Sequence, residues 1–113
     1  MQNSSKNSVV QYGVYLAKVC FEDKPSVYKI RPILVLDSDK MLVAALKMTS
    51  KTNKTNYPLY YLKKWRKYGL IVPTAVRLDK ILELRYSEIY TNKLLTILDD
   101  DDIVNIISNI KIN

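Results

Sequence analysis

Histidine is absent from the 113 residues, glycine occurs twice and cysteine once. Each scarcity removes a class of chemistry. Without histidine there is no Ser-His-Asp or Cys-His arrangement and no histidine-bearing zinc site. With only Gly13 and Gly69, neither a phosphate-cradling P-loop nor a dinucleotide-binding turn can be built. Cys20 stands alone, so no intrachain disulfide forms, and the chain reads as reduced and cytoplasmic. No apolar run approaches the ~20 residues that a membrane-spanning helix requires. The opening "MQNSSKNS" is polar, and "VVQYGVYLAKVCF" behind it alternates and carries Lys18, unlike the apolar block of a signal peptide. Any catalysis is left to Arg, Lys, Tyr, Ser, Thr, Asp and Glu.

What is present points to one folded unit. Hydrophobic residues make up 48% of the chain and charged ones 26%, a globular balance, and the length suits a single core. Residues 1–8 read as a mobile Ser/Asn-rich tail and residues 9–113 as one domain. Net charge is +7, and it is unevenly spread. Residues 1–39 carry five basic and four acidic side chains, residues 40–80 ten and one, and residues 81–113 three and six. A basic middle with an acidic end fits a polyanion surface, most often nucleic acid. A lysine-rich solvated face has the same composition.

The hydrophobic pattern predicts a mainly β chain. In "VVQYGVYLAKVCF" apolar residues occupy both phases of the alternation, with Gly13 as a bend, so one long curved strand is expected. "EDKPSVYK" is a loop. "IRPILVLDSD" and "MLVAALKM" read as a hairpin around Asp37-Ser38-Asp39-Lys40, with Pro32 tolerable at an edge or strand opening. "PLYYL" is a short fourth strand. "KKWRKYG" has a helical composition and ends on Gly69, suited to a left-handed terminus. "PTAVRLDKILEL" reads as a strand followed by an extended segment, and "KLLTIL" as a last strand. Ile103, Ile106, Ile107 and Ile110 then fall at helical spacing. Asp99 or Asp100 would be the N-cap, and the remaining acids would favour the positive end of the helix dipole. Capping accounts for the four aspartates better than a metal site does. Together these elements predict a small, strongly bent antiparallel sheet closed towards a barrel, with a short helical insert and a C-terminal helix.

Two positions stand out for chemistry. Arg31 opens an otherwise apolar strand, where it is either an ordinary edge charge or a guanidinium held to grip a phosphate. Thr49 and Ser50 end the next strand, where hydroxyls either cap a turn or donate to phosphoryl oxygens. In a hairpin the start of one strand lies beside the end of the other, so Arg31 is expected near Thr49. Lys51 and Lys54 add charge, and residues 51–56 read as a basic flap. Tyr57, Tyr60, Tyr61 and Tyr68 interleave with Lys63, Lys64, Arg66 and Lys67, a mixture that suits single strands because bases stack on rings while cations follow the backbone. Covering the barrel is the alternative role for these rings, and packing the favoured one for Trp65. Arg77 either pairs with Asp79, packs at a subunit interface or touches RNA.

"IRPILVL", "VAALKMTSK", "YPLYYLKKWRKYGLIVPTAVRLDKILEL" and "LLTILDDDDIVNIISNI" together resemble the MazF/PemK toxins of bacterial toxin–antitoxin systems. The likeness spans about residues 12–110. It implies an SH3-like antiparallel β-barrel (α+β, mainly β) that forms a homodimer, is bound by a cognate antitoxin, and cuts single-stranded mRNA with no metal or cofactor. Arg31 and Thr49 match the family's catalytic pair. Ser50, Lys51, Lys54, Lys29 and Tyr57 are the expected substrate-binding residues. The first loop, "EDKPSVYK", departs from the family's Gly-Ser-Glu/Gln segment, so the RNA sequence preference is not readable from it; Glu22 and Asp23 are its candidate contacts. RNA brings its own nucleophile, the 2′-hydroxyl, so such an enzyme needs neither an activated Ser nor a Cys. The protein has to orient the sugar–phosphate and stabilise charge on phosphoryl oxygens, with the base left open. Two other functions fit the same chain. One is a non-catalytic toxin of this fold that poisons a protein such as DNA gyrase, as CcdB toxins do. The other is an inactive RNA-binding module.

Overall fold

The computed structural model describes residues 8–21, 23–24, 26–53 and 56–111. The expected tail lies outside these, apart from Ser8. Six strands form one antiparallel sheet: β1 (Gly13–Cys20), β2 (Tyr28–Ser38), β3 (Leu42–Thr49), β4 (Leu59–Tyr61), β5 (Ala75–Arg85) and β6 (Thr96–Ile97). Their spatial order is β4-β5-β3-β2-β1-β6. The sheet curls into a half-barrel, and one helix, α1 (Asp100–Ser108), follows it.

Apolar residues fill both phases of β1 because both faces of the sheet are covered. On one face Val14, Leu34, Leu46, Met48 and Val76 pack beneath Ile103 and Ile106 of α1. On the other, Tyr15, Ala17, Val19, Ile33, Val35 and Val43 pack with Tyr86 and Ile89. A sheet buried on both sides needs no polar alternation. Register breaks put an extra residue in β2 between Val35 and Asp37, and extra residues in β5 between Val76 and Ile81 opposite Leu46–Met48 of β3; these supply the curl, since unpaired extra residues bend their strand.

Several boundaries differ from the sequence reading. β1 starts at Gly13 rather than Val9, because the Gly13 N–H donates back to the Val10 carbonyl and closes a turn. A β-carbon on Gly13 would lie 2.8 Å from Leu94 Cδ1 and 3.0 Å from the Val10 oxygen, so the glycine serves close approach rather than a bend. Pro32 lies within β2, in the stretch 28–32 that pairs with β1 alone, where a missing donor towards β3 breaks no ladder bond. β5 is one continuous strand serving both β4 and β3. "KLLTIL" shrinks to the two residues of β6.

The expected helical insert is not a regular helix. Residues 63–69 are a run of turns, with one helix-like bond from the Tyr68 N–H to the Lys64 carbonyl. Seven residues are too few to hold a helix by themselves, and the side chains of Lys64, Lys67 and Tyr68 are bound to the aspartates of α1 and its cap. Gly69 does take the expected left-handed conformation (φ +77°). The four aspartates also serve a different purpose. Asp99 is the N-cap of α1 but its side chain makes no cap bond; it accepts instead from Lys64 Nζ at 2.8 Å and Lys67 Nζ at 3.0 Å. Asp102, only 5% exposed, accepts from the Tyr60 hydroxyl at 2.5 Å and from the Tyr68 hydroxyl. Asp101 also accepts from Lys64 Nζ at 3.2 Å, so three of the four acids tie the turn segment to the helix. Of the isoleucine stripe, Ile103 and Ile106 are buried, whereas Ile107 is exposed. No helix among the described residues is long and apolar enough to cross a membrane.

Candidate functional site: two clefts sharing Arg31 and Thr49

The ladder between β2 and β3 pairs Ile33 with Lys47, Leu34 with Leu46 and Val35 with Ala45. That pairing stops two residues short of Arg31, which pairs with Ala17 of β1, and of Thr49, which pairs with Ala75 of β5. Both residues line two adjoining clefts, together with Met48, which is fully buried. The hairpin therefore brings together what the sequence separates by 18 positions.

One cleft is cationic and has a volume of about 320 Å³. Among the described residues Arg31, Lys47, Lys51 and Arg77 line it, with Asp23 as the one carboxylate in the wall. Such a surplus in a recess with low-dielectric walls concentrates anions. Lys51 and Tyr57, both expected from the sequence, stand in this wall. The other cleft, of about 510 Å³, is largely apolar. Lys29 and Ser50, also expected, belong to this one, among Leu16, Ile30, Pro32 and Leu70. Lys54 and part of the expected flap lie outside the described residues.

Thr49 is 6% exposed. Its Oγ1 accepts a hydrogen bond from the Lys51 N–H at 3.0 Å, so it does cap the turn that leaves β3. That bond uses the oxygen as acceptor. The hydroxyl hydrogen meets no acceptor among the described residues and is available to a phosphoryl oxygen. Arg31 is half-buried and makes no ion pair among the described residues. An arginine held by a strand without a protein carboxylate suits an external one or a phosphate, which its planar fork can grip with two parallel bonds.

Arg77, Lys47 and Asp23 are the cleft residues that sequence reasoning underweighted. Arg77 Nε and Nη2 donate to Asp79 at 3.0 and 2.7 Å, and its guanidinium lies 3.8 Å from the centre of the Tyr57 ring. The guanidinium beside Asp79 holds that carboxyl below the usual carboxylate range. The Arg-x-Asp spacing signals the pair, since i and i+2 share a face of a strand. Nothing in the sequence signals the stack on Tyr57, 20 positions away. Trp65 is half-buried against the core, with the Arg66 guanidinium 4.6 Å from its ring centre. Tyr60 and Tyr68 are committed to Asp102, and Tyr61 donates to the Thr52 carbonyl at 3.2 Å.

Among the described residues no group of three or more His, Cys, Asp or Glu is placed to hold a metal ion. Chemically, the site offers a fixed guanidinium, a buried hydroxyl and additional cations around a recess, with an apolar hollow adjoining. Comparison with family models and with curated proteins gives no match for the chain.

Proposed function

We propose that the chain is the toxin of a toxin–antitoxin pair: an endoribonuclease of the MazF/PemK type, with an SH3-like barrel, that acts on single-stranded mRNA without a metal. In this reading it works in the cytoplasm as a homodimer and is silenced by a cognate antitoxin. The observation that carries the reading is the shared position of Arg31 and Thr49 in the walls of a cationic and an apolar cleft. A nucleotide has both characters, an anion and an apolar base.

The reaction needs little from the protein beyond placement and charge. The ribose 2′-oxygen attacks the adjacent phosphorus, an O2′–P bond forms and the P–O5′ bond breaks. The proton lost from the 2′-hydroxyl is balanced by one gained at the departing 5′-oxygen. The products are a 2′,3′-cyclic phosphate and a free 5′-hydroxyl. Arg31 holds the phosphoryl oxygens and offsets their growing charge, and Thr49 donates a hydrogen bond to them. Lys47, Lys51 and Arg77 hold the flanking backbone.

The test is cleavage of a single-stranded RNA by the purified chain in EDTA, compared with Arg31→Ala and Thr49→Ala. Each substitution removes one donor to a charge that builds in the transition state, so a drop of about 10²–10³ in rate is expected, with the Arg31→Ala melting temperature unchanged. RNA left intact by the folded wild-type protein would overturn the reading.

A further inference from the structure

We propose that the backbone N–H of Lys111, just beyond α1, is a positioning element for the cationic cleft: it holds the Leu78 carbonyl and so fixes the bulge of β5 that presents Arg77 to the RNA backbone. The inference rests on the ribonuclease reading for its ligand, while the anchor itself rests on the fold alone.

The bulge is the part of β5 that its ladders leave out. Met48 of β3 faces Val76 and Leu46 faces Ile81, so the one residue Lys47 stands against four, 77–80. Arg77 still pairs with Leu59 of β4, but residues 78–80 fall outside both ladders. Extra residues of this kind re-aim side chains next to functional sites. Their backbone groups need other partners, because a buried N–H or carbonyl left unpaired is costly. Leu78, at the centre, finds both. Its N–H donates to the Pro58 carbonyl at 3.1 Å, and its carbonyl accepts from the Lys111 N–H at 2.6 Å.

Leu78 also decides where its neighbours point. Its side chain is buried in the core beneath α1. Adjacent residues of an extended chain face opposite sides, so with Leu78 inward Arg77 and Asp79 face outward, and Arg77 lines the cationic cleft. There its guanidinium meets both Asp79, within the bulge, and the Tyr57 ring, which comes from a different segment. The Arg77 side chain is only 15% exposed, so it has little room to compensate for a displaced backbone.

Lys111 is itself held in place. The chain leaves α1 through the Asn109 N–H, which donates to the Ile106 carbonyl at 3.1 Å. The Asn109 side chain donates to the Asn105 carbonyl at 2.7 Å, and Ile110 packs against the same core as Leu78. At its other end α1 is tied to the turn segment through Asp99 and Asp102. The helix thus acts as a strut, fixed at its start and delivering a backbone donor to the bulge at its end.

The experiment compares Lys111→Pro, which lacks the donor, with Lys111→Ala, which loses the same side-chain charge and keeps the donor, both in the full chain. NMR follows the Arg77 side-chain protons, which the Tyr57 ring current displaces, with Tyr57→Leu as the unstacked reference. Steady-state cleavage of a single-stranded RNA in EDTA gives KM and kcat. Lys111→Pro is expected to move the Arg77 signals towards the unstacked reference. It should raise KM about three- to tenfold with kcat within about twofold, since a contact to the flanking backbone serves ground state and transition state alike. Lys111→Ala should keep the Arg77 signals of the wild type. In an Arg77→Ala background Lys111→Pro should add less than about twofold, because the residue it positions has gone. Equal signals and equal KM in Lys111→Pro and Lys111→Ala, or a Lys111→Pro loss fully additive with Arg77→Ala, overturn the proposal. If Lys111→Pro does not fold, Ile110→Ala, which loosens the seat of the donor, takes its place, and unmoved Arg77 signals there overturn it equally. Arg77 signals that shift in Lys111→Pro while the wild-type chain leaves RNA intact uphold the anchor and remove the ribonuclease reading. Unshifted signals with normal cutting do the reverse.

Discussion

Removing one oxygen atom, with Tyr68→Phe, should destabilise the domain far more than its size suggests. The Tyr68 hydroxyl donates to Asp102 Oδ2 and accepts from the Asp99 N–H at 2.9 Å. The first bond satisfies a nearly fully buried carboxyl group and the second a helix-terminal donor. A hydrogen bond to a charged acceptor contributes about 1.5–3 kcal/mol, and stranding a partly buried N–H adds about 1 kcal/mol. The expected loss is thus about 2–4 kcal/mol, or roughly 8–16 °C in melting temperature for a domain of this size. Urea unfolding followed by circular dichroism measures it. Tyr61→Phe is the control, because that residue is exposed and its hydroxyl bonds, among the described residues, to the Thr52 carbonyl alone; about 0.5 kcal/mol or less is expected. Tyr60→Phe removes the second donor to Asp102, so the double variant should cost about 1 kcal/mol more than the two single losses together. A Tyr68→Phe penalty no larger than that of Tyr61→Phe would refute the clamp between α1 and the turn segment.

Three further outcomes follow from the geometry. Burial and the neighbouring Asp102 raise the Tyr68 and Tyr60 phenols above their ordinary value near 10. The native state then holds protons that the unfolded chain releases, so stability should fall as pH rises above about 10, and Tyr68→Phe should flatten that fall in urea titrations. Gly69→Ala should cost about 1–2 kcal/mol although nothing lies within 4 Å of the added carbon, because φ +77° penalises any β-carbon; Gly69→Asn should cost less in the same melts. Arg77→Ala should let the Asp79 carboxyl rise towards its usual range, seen by NMR titration of its side chain. The stability that the pair contributes is present above about pH 4 and lost as pH falls.

How much of this was legible depended on how local each feature is. The hairpin of β2 and β3 follows from two aliphatic runs and a polar turn, and Arg31 and Thr49, near its open end, line the same two clefts. The apolar filling of both phases of β1 is readable too, once a sheet covered on both faces is allowed. The turn segment 63–69 was hidden because Lys64, Trp65, Arg66 and Lys67 are good or neutral helix formers, and the contacts that override them lie more than 30 residues away on Asp99 and Asp102. The same distance concealed the function of the aspartates, since capping is a local rule and clamping is not. The apolar cleft was invisible for a related reason: Ile30, Ile71 and Val72 look like ordinary core residues until the fold leaves them facing water.

The most direct measurement of the central claim is the chemistry of the cut ends. A single-stranded RNA is incubated with the full chain in EDTA and the fragments are weighed by mass spectrometry. Fragments ending in 2′,3′-cyclic phosphate, with 5′-hydroxyl partners, are expected, together with complete protection at any position carrying a 2′-deoxy sugar and near-complete loss of cutting in Arg31→Ala. Intact RNA, or cutting that survives the 2′-deoxy substitution and yields 5′-phosphates, would contradict it.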